Sequence, residues 1–355
     1  MKSKKVFIWI ILTIISIVSL ILFNEKGSDK TFNYNGSTIA LTIDDNSATS
    51  FPTSGKYNVD VDCNNASGRW NPKTWKLEIT KINGTVTCDV SFNSSVSYLN
   101  TEVNNKATRD ENGKRYEGKY PNNYIWFNDE LWRIIGNIPV CLTSGCSTTQ
   151  NRVKIIRNDS IGAIKYGDNS TWMGSNIQNL LNMCYLGKKS SCESYCLFSL
   201  QIKGTCDYSA DGLDENDFYG KMIEDVYFNV GTGDSTFKTA ANYYTQEIAT
   251  HASEASKIGL MYASDFGYAI EDYNEVLGGD SELRLSEKNW LFSHSWEWTM
   301  SAYSSSGLVK VYPLGDFSDD SARAGNDVRP VLYLKSDVYV VSGTGTQVDP
   351  YRIGM

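Results

Sequence analysis

The chain has few residues suited to catalysis: two histidines, His251 and His294, and eight cysteines among 355 residues. A hydroxyl nucleophile needs a base and a group to orient that base, and no nucleophile-elbow motif surrounds any serine. His294 lies in Ser293-His294-Ser295 beside Trp290, Trp296 and Trp298, where it reads either as a hydrogen-bonded framework residue or as part of a ligand site. His251 falls on the polar side of its expected helix and reads as solvated. Asp211, Asp214 and Asp217 could gather oxygens around calcium, a hard cation. Their loop does not follow the helix–loop–helix calcium pattern, and a solvated acidic loop is the rival reading. Asp316, Asp319 and Asp320 form a second acidic group with the same two readings. Glycosidase chemistry needs two carboxylates across a cleft, which linear spacing does not reveal. No catalytic set emerges, and calcium is the one cofactor these side chains suggest. For ligand binding the residues singled out are Trp126, Trp132, Trp290, His294, Tyr303 and Asp316, because aromatic rings with polar edges suit protein and sugar surfaces.

The cysteines are even in number, which in an exported chain reads as disulfides. Tyr57 to Cys63 and Val86 to Phe92 both alternate apolar and polar, and each places its cysteine on the apolar face. A Cys63–Cys88 bridge within a small sheet follows. Cys141 and Cys146 flank a short loop that they can close. Cys184, Cys192, Cys196 and Cys206 permit three connectivities, which spacing does not separate. Zinc is the rival use of these four, but they lack the close C-x-x-C pairs of structural zinc sites.

These side chains must be carried by elements that the pattern also forecasts. Val6 to Phe23 is uncharged, follows Lys2, Lys4 and Lys5, and as a helix spans roughly 27 Å, close to a hydrocarbon core. It predicts a transmembrane anchor over 1–27, with the remainder outside the cell; a cleaved signal peptide and a secreted protein is the competing reading. Residues 28–97 predict a small all-β, immunoglobulin-like spacer from short runs at Thr38 to Ile43, Tyr57 to Cys63, Trp75 to Thr80 and Thr85 to Phe92. Residues 98–119 read as a polar linker. The rest, 120–355, predicts an α+β domain. It opens on a hairpin, Tyr124 to Phe127 and Leu131 to Ile135, turning at Asn128-Asp129. Helical faces follow at Met173, Ile177, Leu180, Leu181 and Cys184, then at Phe237, Ala240, Ala241, Tyr244 and Ile248. Late strands lie near Ile258, Leu308, Val328 and Val338. The formal net charge of −8 argues against nucleic acid as a partner, since phosphate binding needs clustered cations.

Four segments carry a resemblance: Tyr124 to Ile135, Ile258 to Ala269, Val328 to Lys335 and Gly343 to Tyr351. They resemble uncharacterised exported proteins of Gram-positive gut bacteria. Trp296-Glu297-Trp298-Thr299, with Arg329-Pro330 beyond it, is similar to the end of the formylglycine-generating (sulfatase-modifying factor) superfamily. That resemblance implies a C-type-lectin-like domain over 120–355, with both tryptophans in the core and Arg329 paired to a carboxylate such as Glu297. It does not carry over the enzymes' chemistry. Their cysteine pair near the C-terminal end has no counterpart after Cys206, and the histidine cluster of their iron-dependent relatives has none either. The reading is a membrane-anchored extracellular binding module for a protein or glycan. An enzyme of the superfamily with a different site, and a structural envelope protein, are the alternatives.

Overall fold

The computed structural model describes residues 30–198, 206–271, 277, 288–311, 313 and 317–355. The chain divides into two compact units, Met1–Ser95 and Val96–Met355. Strand makes up 39% and helix 12% of the protein, so it is mostly β. The expected α+β class with an N-terminal transmembrane helix is therefore corrected. No helix among the described residues is long and apolar enough to cross a membrane, so the single-pass anchor is not supported; Val6 to Phe23 itself lies outside the described residues.

The first unit contains β1 (Thr31–Tyr34), β2 (Ser37–Ile43), β3 (Asn46–Ala48), β4 (Asn58–Cys63), β5 (Ser67–Asn71), β6 (Lys76–Thr80) and β7 (Thr87–Asn93). All four strand runs read from the sequence are present. They do not build an immunoglobulin sandwich of two antiparallel sheets: β2 and β7 pair in parallel at the centre of the order β1-β2-β7-β4, β3 joins β2, and β5-β6 is a separate hairpin. Period-2 alternation sets which face is apolar but says nothing about strand direction. Trp70, 1% exposed, packs edge-on against Phe92 at 4.8 Å, and Phe51 lies 5.3 Å from it. Cys63 and Cys88 sit directly opposite each other on β4 and β7 and are bridged, with Cα atoms 4.1 Å apart.

In the second unit, β8 (Ser97–Tyr98), α1 (Leu99–Lys106), β9 (Arg109–Asp110) and β10 (Lys114–Arg115) occupy the stretch expected to be a linker. Its polarity is misleading. Leu99 and Val103 of α1 are buried, and the Arg115 side chain, 2% exposed, finds a buried carboxylate. β11 (Tyr124–Phe127) and β12 (Glu130–Cys141) form the expected hairpin, with Asn128 and Asp129 both at positive φ, as a tight two-residue turn requires.

β13 (Thr149–Arg157) extends this sheet, and β14 (Ala163–Lys165) leaves it for another. Next come α2 (Asn176–Asn179), which widens into a π-helical turn over Leu180–Tyr185, then α3 (Ala240–Glu247), β15 (Ile258–Gly259) and α4 (Ala263–Tyr268). β16 (Glu297–Ala302), β17 (Gly307–Val311), β18 (Phe317–Ser321), β19 (Gly325–Asp327), β20 (Val331–Leu334), β21 (Tyr339–Ser342) and β22 (Arg352–Gly354) complete the unit. A seven-stranded sheet runs β15-β20-β13-β12-β10-β9 with β11 on β12, so the late strand β20 meets the early β13. A five-stranded sheet runs β14-β19-β16-β17-β18, and β22-β21-β8 is a third.

The two helices expected from apolar spacing are shorter than forecast. In α3 the buried residues are Ala240, Tyr243 and Glu247, while Ile248 is 39% exposed. The buried face of α3 thus includes a glutamate and differs from the face its apolar residues implied.

Candidate functional site

The cysteines pair as Cys63–Cys88, Cys141–Cys146, Cys184–Cys192 and Cys196–Cys206. The last two staple the segment that forms one wall of a groove of about 430 Å³. Along its other side the groove has the end of β14, the loop after it and the start of α2. Three bonds hold these walls in place. Lys165 N donates to Leu197 O at 2.6 Å, Ile177 N to Tyr166 O at 2.9 Å, and the Asn176 amide to Lys165 O at 2.8 Å. Ser175 caps α2 by accepting from Gln178 N at 3.1 Å.

The groove is polar. Asp168 accepts from Lys165 Nζ at 2.7 Å, and that bond and charge hold its carboxyl below the ordinary range. Asn169 accepts from Thr171 N at 2.9 Å; Asn176, Asn179, Ser194 and the half-buried Tyr195 add further amide and hydroxyl groups. No histidine or thiol is among its described lining residues. Such a surface can exchange hydrogen bonds with a hydroxylated ligand and offer an aromatic ring, but it holds no activated nucleophile.

A set of buried titratable groups lies elsewhere, sealed from solvent. Asp265 receives Arg115 Nη1 at 2.8 Å, Lys154 Nζ, and the Tyr262 backbone N–H at 2.9 Å. Burial alone would raise this carboxyl, but Lys154 and Arg115 outweigh it and hold Asp265 low. Lys154 Nζ also lies 4.1 Å from the centre of the Tyr262 ring. Beside this set, Glu247 accepts from Ser264 N at 3.2 Å and from the hydroxyls of Ser264 and Ser301, and burial pushes it up to about 7. The void against Glu247 is about 10 Å³, room for one water and no substrate. The network therefore reads as framework.

The described residues among those singled out for ligand binding each have contacts of their own. Trp132 is fully buried against Phe127, with Nε1 on Glu130 at 3.1 Å. Trp290 is buried, donates to Tyr116 O at 2.9 Å and stacks under Arg133. Trp126 lies under Arg352, His294 is exposed at positive φ with its ring 4.3 Å from Phe292, and Tyr303 packs on Phe237. Asp316 lies outside the described residues. The three aspartates considered for calcium each turn to a separate partner. Asp211 reaches Arg157 at 3.7 Å, Asp214 accepts from Asn216 N and Asp217 from Gly220 N. Asp320 of the second acidic group pairs with Lys310 at 2.7 Å.

Arg329 does pair with Glu297, through Nε at 2.6 Å and Nη2 at 2.9 Å, and both are buried. Trp298 is core, as the resemblance implied, whereas Trp296 is 39% exposed under Lys310. His251 is half-buried rather than solvated, and burial lowers its pKa. The groove went unread in the sequence, because its polar residues match an ordinary loop and come from two separate stretches, 165–179 and 194–197, of which only the second stands among closely spaced cysteines. Comparison of the chain with protein-family models, with curated proteins and with solved structures returns no match.

Proposed function

We propose that the protein is a binding module whose second unit takes a glycan in the groove between β14, α2 and the Ser194–Leu197 segment. The supporting observation is the groove itself. Its volume of about 430 Å³ falls within the range of small-ligand sites, and its described lining combines amides, hydroxyls, one carboxylate and one ammonium with the Tyr195 ring. A protein ligand would need roughly 800 Å² of contact on each partner, more than a groove of this size supplies. Sugars present vicinal hydroxyls that bridge a carboxylate and an amide, and an apolar ring face that packs on tyrosine.

The test is titration of the full chain with a panel of soluble oligosaccharides. A sugar that binds should lose at least about tenfold in affinity, roughly 1.4 kcal/mol, on Asp168→Ala and on Tyr195→Ala, with the fold intact by circular dichroism. Absence of binding across the panel, or binding indifferent to both substitutions, removes the proposal.

A further inference from the structure

Among the described residues, the Cys141–Cys146 bridge is the one with a histidine beside it. One sulfur of each cysteine and one imidazole nitrogen of His251 all lie within 4.8 Å of one another, with Cys141 buried and the other two half-buried. Three segments bring them together. Cys141 ends β12 and its carbonyl accepts from Tyr227 N at 2.9 Å; two residues on, Asn229 bridges His251 in antiparallel register, and Ala252 N donates to Phe228 O at 2.8 Å. Cys146 returns toward Cys141 through a tight loop in which Gly145 and Cys146 both have positive φ, closed by Cys146 N on Thr143 O at 3.1 Å.

We infer that Cys141, Cys146 and His251 form a redox-gated zinc site: a bridge when oxidised, and an S₂N ligand set with one open position when reduced. Two thiolates and an imidazole suit zinc, and tetrahedral bonds of about 2.3 Å place two sulfurs about 3.8 Å apart. Opening the bridge therefore needs only a small separation of the two sulfurs, with the imidazole already alongside. The bridge is also the easiest of the four to give up on chain entropy, because its sequence separation of 5 is the shortest, against 8, 10 and 25 for the others. A dithiol supplies the electrons. Its thiolate attacks one sulfur of the pair, its second thiol resolves the mixed disulfide, and the products are two protein thiols and the oxidised dithiol. Zinc then displaces two protons from the thiols.

The experiment uses the full chain. It is treated with limiting dithiothreitol under native conditions, the opened pair is located by differential alkylation and mass spectrometry, and the desalted protein is titrated anaerobically with zinc alone and with cobalt alone. Cys141–Cys146 should open before the other pairs. The reduced chain should then bind one zinc, and cobalt should give thiolate charge-transfer and visible d–d bands; the oxidised chain should bind neither. His251→Ala and His251→Asn should each weaken zinc at least tenfold with circular dichroism unchanged, and Cys141→Ser with Cys146→Ser should abolish binding. Earlier opening of another pair, no zinc bound once this pair is open, or zinc affinity unaltered in both His251 variants would overturn the inference.

Discussion

Asp265 is held by two cations, from positions 150 and 111 residues away in the chain. A buried ion pair contributes little net stability against an apolar replacement, yet removing one partner strands the other's charge in the interior. Asp265→Asn should therefore cost about 3–5 kcal/mol in urea denaturation at neutral pH, and a loss below about 1 kcal/mol would show that neither Arg115 nor Lys154 is left with a stranded charge. Glu247 makes the opposite contribution. Its folded pKa of about 7 exceeds its ordinary 4.5, so the folded state binds a proton that the unfolded state has released. This contribution is complete below pH 4.5 and is lost as pH rises through 7, with a span on the order of 3 kcal/mol at ~1.4 kcal/mol per unit. Glu247→Gln should flatten that part of the stability profile. An unchanged slope in the variant would assign it to another group.

At the scale of elements, β10 is where the polar stretch joins the large sheet, and the close approach depends on Gly136. A Cβ there would lie 2.2 Å from Lys114 O, just past the register shift between Ile134 and Gly136 in β12. Arg115 is the partner of Gly136 across the strands. Gly136→Ala should push β10 away, draw Arg115 from Asp265, and lower the unfolding free energy in urea denaturation by about 1–3 kcal/mol, the usual cost of overpacking. A neutral outcome would mean that β10 yields freely and that its pairing carries no stability.

The whole molecule comprises two compact units with separate cores. Removing the Cys63–Cys88 bridge by double serine substitution should cost the first unit about 2–5 kcal/mol. In hydrogen exchange on the full chain, protection should fall across β1 to β7 and persist in β12, β13 and β20. Loss of protection in both units would show that they unfold as one. The eight cysteines also make a simple check, because the oxidised, denatured chain should present no thiol to alkylating reagents.

Features written in short stretches of sequence were legible: the strands of the first unit, the Asn128-Asp129 hairpin, and the Cys63–Cys88 and Cys141–Cys146 bridges. Each is set by alternation, by turn residues or by loop length, which act over a few residues. The parallel pairing of β2 with β7, the incorporation of 98–119 into the second unit and the choice among three connectivities for the last four cysteines were settled in three dimensions. So were the groove at Asp168, Asn176 and Tyr195 and the contact of His251 with Cys141–Cys146. The same holds for Glu247, whose burial contradicts its own polarity and is made tolerable by Ser264 and Ser301, 17 and 54 residues away. Polarity along a chain reports only a residue's cost in an average environment, whereas tertiary folding supplies the particular partners that offset it.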